Sequence, residues 1–193
     1  MGLFDAFLGR TRLRKAQLDP IFALATAAPT LESAELRAGR AAGVCLQAVE
    51  GAAYAGVDGE LRQLLQLAAA SPDFHAATEV RRDDLGFTWV LFRDAPVEDQ
   101  VNLAHLTATT LQGNGYGEQL LAAVFRMERT DSPERPGYLI YNYKRGTFYP
   151  FMPTGGGRNR DNAAEFRSAG ALGNLLPIEK DVSRWFPIWD CPV

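Results

Sequence analysis

The sequence predicts an α+β fold: a single, largely antiparallel sheet with helices on one face. Short apolar stretches that suit β-strands occur in pairs around turn-forming residues. After each pair comes a segment whose apolar residues recur with the period of an α-helix. This strand-strand-helix order is repeated three times after two short N-terminal helices. Hairpin connections favour antiparallel pairing, and helices that follow hairpins can cover one sheet face.

Length and composition are those of an ordinary globular protein. The 193 residues are 47% hydrophobic and 22% charged, which suits one domain with a sizeable core. The formal net charge is −3, and no clustered basic surface is predicted, so we expect no nucleic-acid partner. We predict a short amphipathic helix with a basic connector over residues 1–17. A single α+β domain with an aromatic C-terminal tail would follow over residues 18–193.

The N-terminal segment combines an apolar face with a basic run. Its apolar residues at helical spacing are Leu3, Phe4, Phe7 and Leu8, and the basic residues are Arg10, Arg12, Arg14 and Lys15. Such a segment suits an anionic membrane surface, with Arg10 and Arg12 at the headgroups. It also suits a helix docked on the protein's own core, with the basic residues as a solvated connector, and this second interpretation is the favoured one. Both interpretations stay open.

The first unit begins after a short helix, which we expect over Leu18–Ala27. A strand pair follows over Leu31–Ala38 and Val44–Glu50, joined through the glycines of Gly39–Gly43. An amphipathic helix is then predicted over Asp58–Ala70, because its apolar residues recur at helical spacing. Asp58 is its expected N-cap, and the apolar positions are Leu61, Leu64, Leu65 and Ala68.

The second unit contains the most apolar predicted strand. Strands are expected over Ala77–Arg82 and Phe87–Arg93, around a turn of two aspartates, a leucine and a glycine. A helix opens just after Asp94, with Pro96 at its start, and ends at the Gly-Asn-Gly sequence 113–115. Its buried stripe is predicted to be Val97, Val101, Ala104, Ala108 and Leu111.

The third unit is predicted in the same order. Strands are expected over Gln119–Arg129 and Gly137–Lys144, joined by a proline-containing turn. A glycine-rich loop leads to a helix over Asp161–Ala171. The tail from Pro177 is too rich in proline and aromatic residues for a regular element.

No pattern that specifies a catalytic or metal site is present. The two histidines, His75 and His105, have no metal-ligand spacing, and no nucleophile elbow occurs. A triad assembled from distant residues would need one of these histidines. Cys45 and Cys191 form no C-x-x-C pair; a disulfide between them is conceivable, although nothing indicates export to an oxidising compartment. We therefore predict a non-enzymatic protein with no catalytic residues, no cofactor and no metal.

The glycine-rich stretches fit turns better than nucleotide sites. Residues 113–117 lack the dinucleotide spacing and follow a helix, and residues 155–160 lack the end of a phosphate loop. Arg158 and Arg160 beside the second stretch can hold an anion, which remains the weaker interpretation.

The most distinctive segment is the aromatic region Tyr138–Trp189. Tyrosine, tryptophan and arginine are the residues that most often anchor protein interfaces. The candidate partner interface is Lys144, Arg145, Phe148, Tyr149, Arg158 and Arg160. The favoured main role of the segment is packing: the tail folds back over Tyr141 and Tyr143, and Trp185 and Trp189 close the core. An interface would then lie only on the exposed edge, centred on Lys144 and Arg145.

At these motifs the chain resembles a known family. The stretches that carry the resemblance are GLFDAFLGRT at the start, GFTWVLFRD at 86–94, YKRGTFYPF at 143–151, RDNAAE at 160–165 and DVSRWFPIW at 181–189. They are similar to PspAB, the PspA-associated protein B of actinobacteria and some archaea. The resemblance covers nearly the whole chain, with residues 29–77 matching loosely.

The resemblance implies a setting rather than a chemistry. PspA is a coiled-coil protein that coats and protects stressed membranes, and the family sometimes neighbours a membrane metalloprotease. We therefore expect an accessory or adaptor protein of an envelope (phage-shock) stress response, with a PspA-like protein or a membrane protease as partner. It would be cytoplasmic, or peripheral at the inner face of the membrane through a weak surface contact. The alternative is a peptide-holding chaperone resembling secretion chaperones and YbjN-like proteins, which hold an extended segment on the open sheet face.

Overall fold

A computed structural model of the chain describes residues 15–47, 59, 61–63, 65–66 and 76–193. Its strands are β1 (Leu36–Leu46), β2 (Ala77–Arg82), β3 (Thr88–Arg93), β4 (Leu120–Arg129), β5 (Pro136–Asn142) and β6 (Thr147–Phe151). They form one six-stranded sheet in the order β2-β3-β1-β4-β5-β6. Every neighbouring pair is antiparallel. The predicted α+β class and single antiparallel sheet are confirmed.

The helices expected near residues 18–27, 94–113 and 161–171 are present, whereas residues 31–34, expected to begin a strand, are in a 3-10 helix. The N-terminal helix is a 3-10 turn, Asp19–Phe22, followed by α1 (Ala23–Ala27) and a second 3-10 stretch, Ala28–Ala34. The later helices are α2 (Val97–Gly113) and α3 (Asn162–Leu172). All five residues of the stripe predicted on α2 are buried. Residues 59, 61–63 and 65–66 are helical, whereas Asp58, Leu64 and Ala68 lie outside the described residues.

The first predicted hairpin is wrong, because β1 is one continuous strand. Its pairing with β4 is interrupted between Ala38 and Ala42, where extra residues form a bulge. A Cβ on Gly39 would lie 2.6 Å from the carbonyl oxygen of Arg126, so the bulge requires glycine at this position. The glycines that suggested a turn therefore mark a close approach of two backbones.

The bulge is held by the start of α2. Gln100 is fully buried, and its Nε2 donates to the carbonyl oxygens of Gly39, at 2.7 Å, and Ala95, at 2.8 Å. The Ala95 N–H donates to the carbonyl of Arg40 at 3.2 Å. The Gln100 amide thus satisfies the Gly39 carbonyl of the bulge, and the Ala95 N–H satisfies the Arg40 carbonyl.

The sequence analysis missed β6, and the threefold order is not observed. In the described part of the chain, one strand rather than two precedes the helical residues 59, 61–63 and 65–66. Three strands rather than two, β4, β5 and β6, precede α3. Pro150 lies inside β6 opposite Leu139. Proline is tolerated here because β6 is the last strand of the sheet, where one side of the backbone needs no ladder bond.

The two sheet faces have different coverings. On one face, α1 and α2 pack on alternate strand residues; this helix-side core includes Val44, Val90, Ala123, Phe125, Tyr141 and Phe148. On the other face, residues 185–193 pack on the intervening residues; this tail-side core includes Cys45, Trp89, Val124, Ile140, Tyr149, Phe151, Trp185 and Val193. The alternation follows from the two-residue repeat of a strand, which sends successive side chains to opposite faces.

The predicted position of the tail is therefore wrong in one respect. Tyr141 and Tyr143 lie on the helix side, where the Tyr143 hydroxyl donates to the Ala104 carbonyl at 3.2 Å. The tail covers the opposite face instead, and Trp185 closes that core with 5% of its surface exposed. Trp189 packs edge-on against the Phe151 ring, with centroids 4.9 Å apart.

Candidate partner interface

The tip of the β5–β6 hairpin is built on Asn142. This buried residue accepts the N–H groups of Arg145, at 3.1 Å, and Gly146, at 2.8 Å, on its carbonyl oxygen. Its side-chain oxygen accepts the Lys144 N–H at 3.0 Å. Gly146 has a φ of 68°, a left-handed conformation that glycine adopts without strain. The turn therefore presents Lys144 and Arg145 in a fixed geometry.

Arg145 is held by the tail. Its guanidinium forms an ion pair with Glu179, whose side chain is 5% exposed, while Arg145 keeps 29% of its own surface exposed. Glu179 also accepts from the Thr147 hydroxyl at 3.3 Å and from the Asp181 N–H at 3.0 Å. Burial opposes ionisation of Glu179, but these hydrogen bonds, with Arg145 foremost, keep its pKa below the usual value. Arg145 thus joins the hairpin to the tail and still reaches the surface.

The ammonium group of Lys144 is buried without a hydrogen-bond acceptor among the described residues. Burial lowers the pKa of Lys144, and the nearby Glu118 carboxylate opposes that shift. Glu118 lines a shallow cleft of about 180 Å³ together with Lys15 and Gln112. As it stands, the ammonium is only partly available to a partner.

Phe148 and Tyr149 do not belong to an exposed interface. Both side chains are fully buried, and they lie on opposite faces of the sheet. Phe148 packs on Tyr141 with ring centroids 4.8 Å apart. The Tyr149 hydroxyl donates to the Phe186 carbonyl at 3.1 Å. The aromatic density of this segment is therefore core packing for these two residues.

The two arginines near the glycine-rich loop differ from each other. Arg160 donates to both oxygens of Glu165 at 2.8–2.9 Å and to the Trp185 carbonyl at 2.7 Å. Burial raises the pKa of Glu165, and its bonds from Arg160 oppose that shift. Arg158 is 75% exposed and lies 3.9 Å from the exposed Asp190. Arg160 therefore anchors the tail, and Arg158 is the one of the pair that is open to a partner.

Three exposed apolar side chains, on α3, after α3 and in the tail, were not predicted from the sequence. Phe166 is 54% exposed, and its ring centroid lies 5.6 Å from that of Trp185. Val182, in the turn that precedes Trp185, is 46% exposed, and Leu175, after α3, is 40% exposed. We call Phe166, Leu175 and Val182 the α3–tail patch. Helical spacing could have indicated that Phe166 is exposed, because Ala164, Ser168 and Leu172 form the buried stripe of α3 and Phe166 lies off it.

A series of contacts connects the hairpin tip to this patch. Arg145 bonds Glu179, and the Glu179 carbonyl accepts the Trp185 indole N–H at 2.9 Å. Trp185 in turn contacts Phe166. The tail also extends the sheet edge: the Phe148 N–H donates to the Pro177 carbonyl, and the Glu179 N–H donates to the Phe148 carbonyl, both at 2.8 Å. The tip and the patch thus belong to one hydrogen-bonded unit.

The predicted membrane-contact residues Leu3, Phe4, Phe7, Leu8, Arg10 and Arg12 lie outside the described residues. The chain enters the described structure beside the hairpin tip. The Gln17 N–H donates to the Tyr143 carbonyl at 2.7 Å, and the Tyr141 hydroxyl donates to the Gln17 carbonyl at 2.9 Å. A Cβ on Gly146 would lie 3.0 Å from the Gln17 Cβ. The fold therefore fixes the chain leading from the N-terminal segment next to Lys144 and Arg145.

The residues considered for catalysis or metal binding are dispersed. His105 lies 3.5 Å from Asp19, whose side chain is 94% exposed, so this pair is on the surface. His75 lies outside the described residues. Both cysteines are free, and burial raises the pKa of each thiol. No group of metal-ligating side chains occurs within the described ranges.

Every helix found in the described ranges is too short or too polar to cross a lipid bilayer.

Comparison with known proteins identifies the family. The family model for PspAB, PspA associated protein B, matches residues 1–193, which is the whole chain. No curated protein and no solved structure matches it. A match over the entire length includes the motifs of the hairpin, of α3 and of the tail, which together form the candidate interface. The chain therefore belongs to the PspA associated protein B family.

Proposed function

We propose that the protein is a non-enzymatic accessory protein of a PspA-type envelope stress response, and that it binds a PspA-like coiled-coil protein. Membership of the family supports the association with PspA. The observation that carries the proposed surface is the exposed ring of Phe166 against the buried Trp185. An exposed aromatic ring beside an ordered tryptophan offers the large apolar contact area that interface anchors use.

The chemistry of the α3–tail patch suits a helical partner. An amphipathic helix places apolar residues in a groove and charged residues at its rim. Around the patch, Lys180 and Arg184 are exposed, and Arg184 is paired with Asp181 at 2.6 Å. Arg145 lies at the far end of the same hydrogen-bonded unit. A coiled-coil protein offers both the apolar ridge and the flanking charges that such a surface needs.

The N-terminal segment would give the protein a second contact, with the membrane surface. Apolar residues at helical spacing followed by arginines favour an anionic headgroup layer. Lys15 marks where this segment joins the described structure, close to Lys144 and Arg145. A weak membrane contact and the α3–tail patch would then act together at the inner face of the membrane.

The peptide-holding chaperone is the less favoured function. Such a protein needs an open apolar sheet face, and here residues of the tail-side core cover that face. An enzyme is also less favoured, because the His105 pair with Asp19 is at the surface rather than in a cavity. Both arguments concern the described residues.

The experiment is a crosslinked pull-down from the native host with the full-length protein as bait. We expect a PspA-like protein to be recovered with the wild type and largely lost with Phe166→Glu. The matched control is Leu85→Glu, because Leu85 is 68% exposed in the β2–β3 turn and touches no part of the patch. Thermal unfolding of both variants checks that they remain folded.

Three results would contradict the proposal. Failure to recover a PspA-like protein with the wild type would rule out that partner. Equal loss with Phe166→Glu and Leu85→Glu would rule out the α3–tail patch as the binding surface, because the effect would then come from added charge alone. Recovery of a membrane protease without a PspA-like protein would assign the surface to that other partner.

A further inference from the structure

The outer edge of β2 carries a self-complementary charge pattern. Among the described residues, β2 pairs along one side only, with β3, and it ends the sheet. Its sequence places Glu79 and Arg81 two residues apart, so both side chains point to the same face, and both are exposed. Across β3 they stand beside Leu91 and Trp89, which carry no charge. The charged neighbour diagonal to Glu79 on this face is Arg93, opposite Ala77, and its guanidinium donates to the Pro192 carbonyl at 3.2 Å.

The backbone groups that face this edge follow from the hairpin. The Asp83 N–H donates to the Phe87 carbonyl at 2.9 Å, and hydrogen-bonded and non-bonded pairs alternate from there along an antiparallel ladder. Arg81 and Glu79 are therefore bonded to β3, whereas Val80 directs its N–H and C=O outward. The position of Arg62 agrees, because its guanidinium lies 3.4 Å from the Val80 carbonyl.

We propose that β2 is a dimerisation edge that pairs antiparallel with β2 of a second copy, on a two-fold axis at Val80. In this register Glu79 lies opposite the partner's Arg81, and Arg81 lies opposite the partner's Glu79. Val80 lies opposite the partner's Val80 as a hydrogen-bonded pair, and Thr78 lies opposite the partner's Arg82 in the same way. The two sheets become one continuous antiparallel sheet.

Register and charge agree independently in this arrangement. The outward-facing residues Thr78, Val80 and Arg82 are the ones that the two-fold axis places in hydrogen-bonded pairs. The residues between them, Glu79 and Arg81, fall in the closer non-bonded pairs, where opposite charges stabilise and like charges destabilise. A shift of one residue would send the side chains to the wrong face. A shift of two residues keeps the faces but places Glu79 opposite the partner's Glu79, or Arg81 opposite the partner's Arg81, which like-charge repulsion disfavours. In the dimer, Arg62 would have to give up its two 3.4 Å hydrogen bonds to the Val80 carbonyl.

The test is the oligomeric state, measured by sedimentation velocity and light scattering over a range of concentrations. We expect a reversible dimer of the full-length protein. Glu79→Arg and Arg81→Glu, singly, each place like charges opposite each other twice per dimer and should weaken it by about tenfold or more. The double variant Glu79→Arg/Arg81→Glu restores opposite charges across the axis and should regain most of the affinity.

Two further variants separate edge pairing from general charge effects. Val80→Pro removes the central outward N–H and should abolish the dimer, while the fold tolerates proline there because that N–H is not bonded to β3. Glu134→Arg is the matched control, since Glu134 is 66% exposed in the β4–β5 turn, and it should leave the dimer unchanged. A monomeric wild type, or a double variant as weak as the single ones, would overturn the proposal. The charge-swap comparison stands even if Val80→Pro fails to fold.

Discussion

Arg160 and Glu165 form an ion pair in the interior, with the guanidinium Nε 2.8 Å from the carboxylate and side-chain exposures of 21% and 2%. The same carboxylate accepts the Met152 N–H at 2.9 Å, and the same guanidinium donates to the Trp185 carbonyl at 2.7 Å. Arg160 also lies over the Phe151 ring, 5.5 Å from its centroid. One pair thus joins α3, the end of β6 and the tail.

This arrangement predicts strong coupling between Arg160 and Glu165. Glu165→Leu should lower the free energy of unfolding by about 3 kcal/mol, because it leaves a partly buried guanidinium without its partner. The double variant Arg160→Met/Glu165→Leu should be less destabilised than the sum of the single variants by about 1 kcal/mol or more. Urea denaturation measures all three. If the effects of the two single variants on the free energy of unfolding add up to that of the double variant, the ion pair itself contributes nothing specific to stability.

The stability that Glu179 contributes by linking the hairpin to the tail is expected to depend on pH. Its pKa in the folded protein is below the ordinary 4.5, so its contribution to stability is complete above about that pH and is lost as pH falls through the lower folded value. The stability difference between wild type and Glu179→Gln should therefore be largest at neutral pH and shrink in acid. Denaturation at several pH values measures it. The exposed Glu134→Gln should show a small difference throughout, and a Glu179 difference that grows in acid would contradict the assignment.

The bulge in β1 predicts opposite effects of two glycine substitutions. Gly39→Ala should destabilise the protein by about 2–3 kcal/mol, since the new Cβ meets the Arg126 backbone and neither can move freely. Gly170→Ala, in α3 with nothing within 4 Å, should stabilise it by about 0.5–1 kcal/mol through helix propensity. Thermal unfolding gives both signs. Equal effects at the two sites would show that the bulge is not a close contact.

The proposed membrane contact predicts a lipid-dependent role for residues 1–14. The full-length protein should float with vesicles that contain an anionic lipid, and the contact should weaken as salt is raised, because it depends partly on charge. A chain that begins at Lys15 should float less. Vesicles of neutral lipid are the matched control. Equal flotation of both chains would exclude the segment as a membrane contact and leave docking on the domain.

Local patterns predicted most elements correctly, and the errors have identifiable causes. The stripe of α2 was found because its helical periodicity is uninterrupted, and β3 was found because its aromatic and β-branched residues suit a buried strand. β1 was divided in two because its glycines resemble a turn, and the partner that requires them, Arg126 in β4, is distant in sequence. β6 was missed because Pro150 argues against a strand unless the strand is known to lie at an edge.

The candidate interface was likewise predicted only in part from the sequence. Tyrosine, arginine and phenylalanine in one short segment indicated an interface, yet Phe148 and Tyr149 proved to be buried. Composition cannot separate a core aromatic from an exposed one. Phe166 was overlooked because it stands alone in a segment rich in small residues, although its position off the stripe of α3 was available.

The sequence by itself determined the fold class, the family, and the two segments of interest at the start and end of the chain. It did so because hydrophobic period and motif order are properties of the chain alone. Only the tertiary structure decided that the tail covers the face opposite the helices, so that Arg145 is tied to Glu179 and Phe166 is left exposed beside Trp185. Those outcomes depend on strand order and on which residues of each strand face the tail. Contacts between residues far apart in sequence fix both.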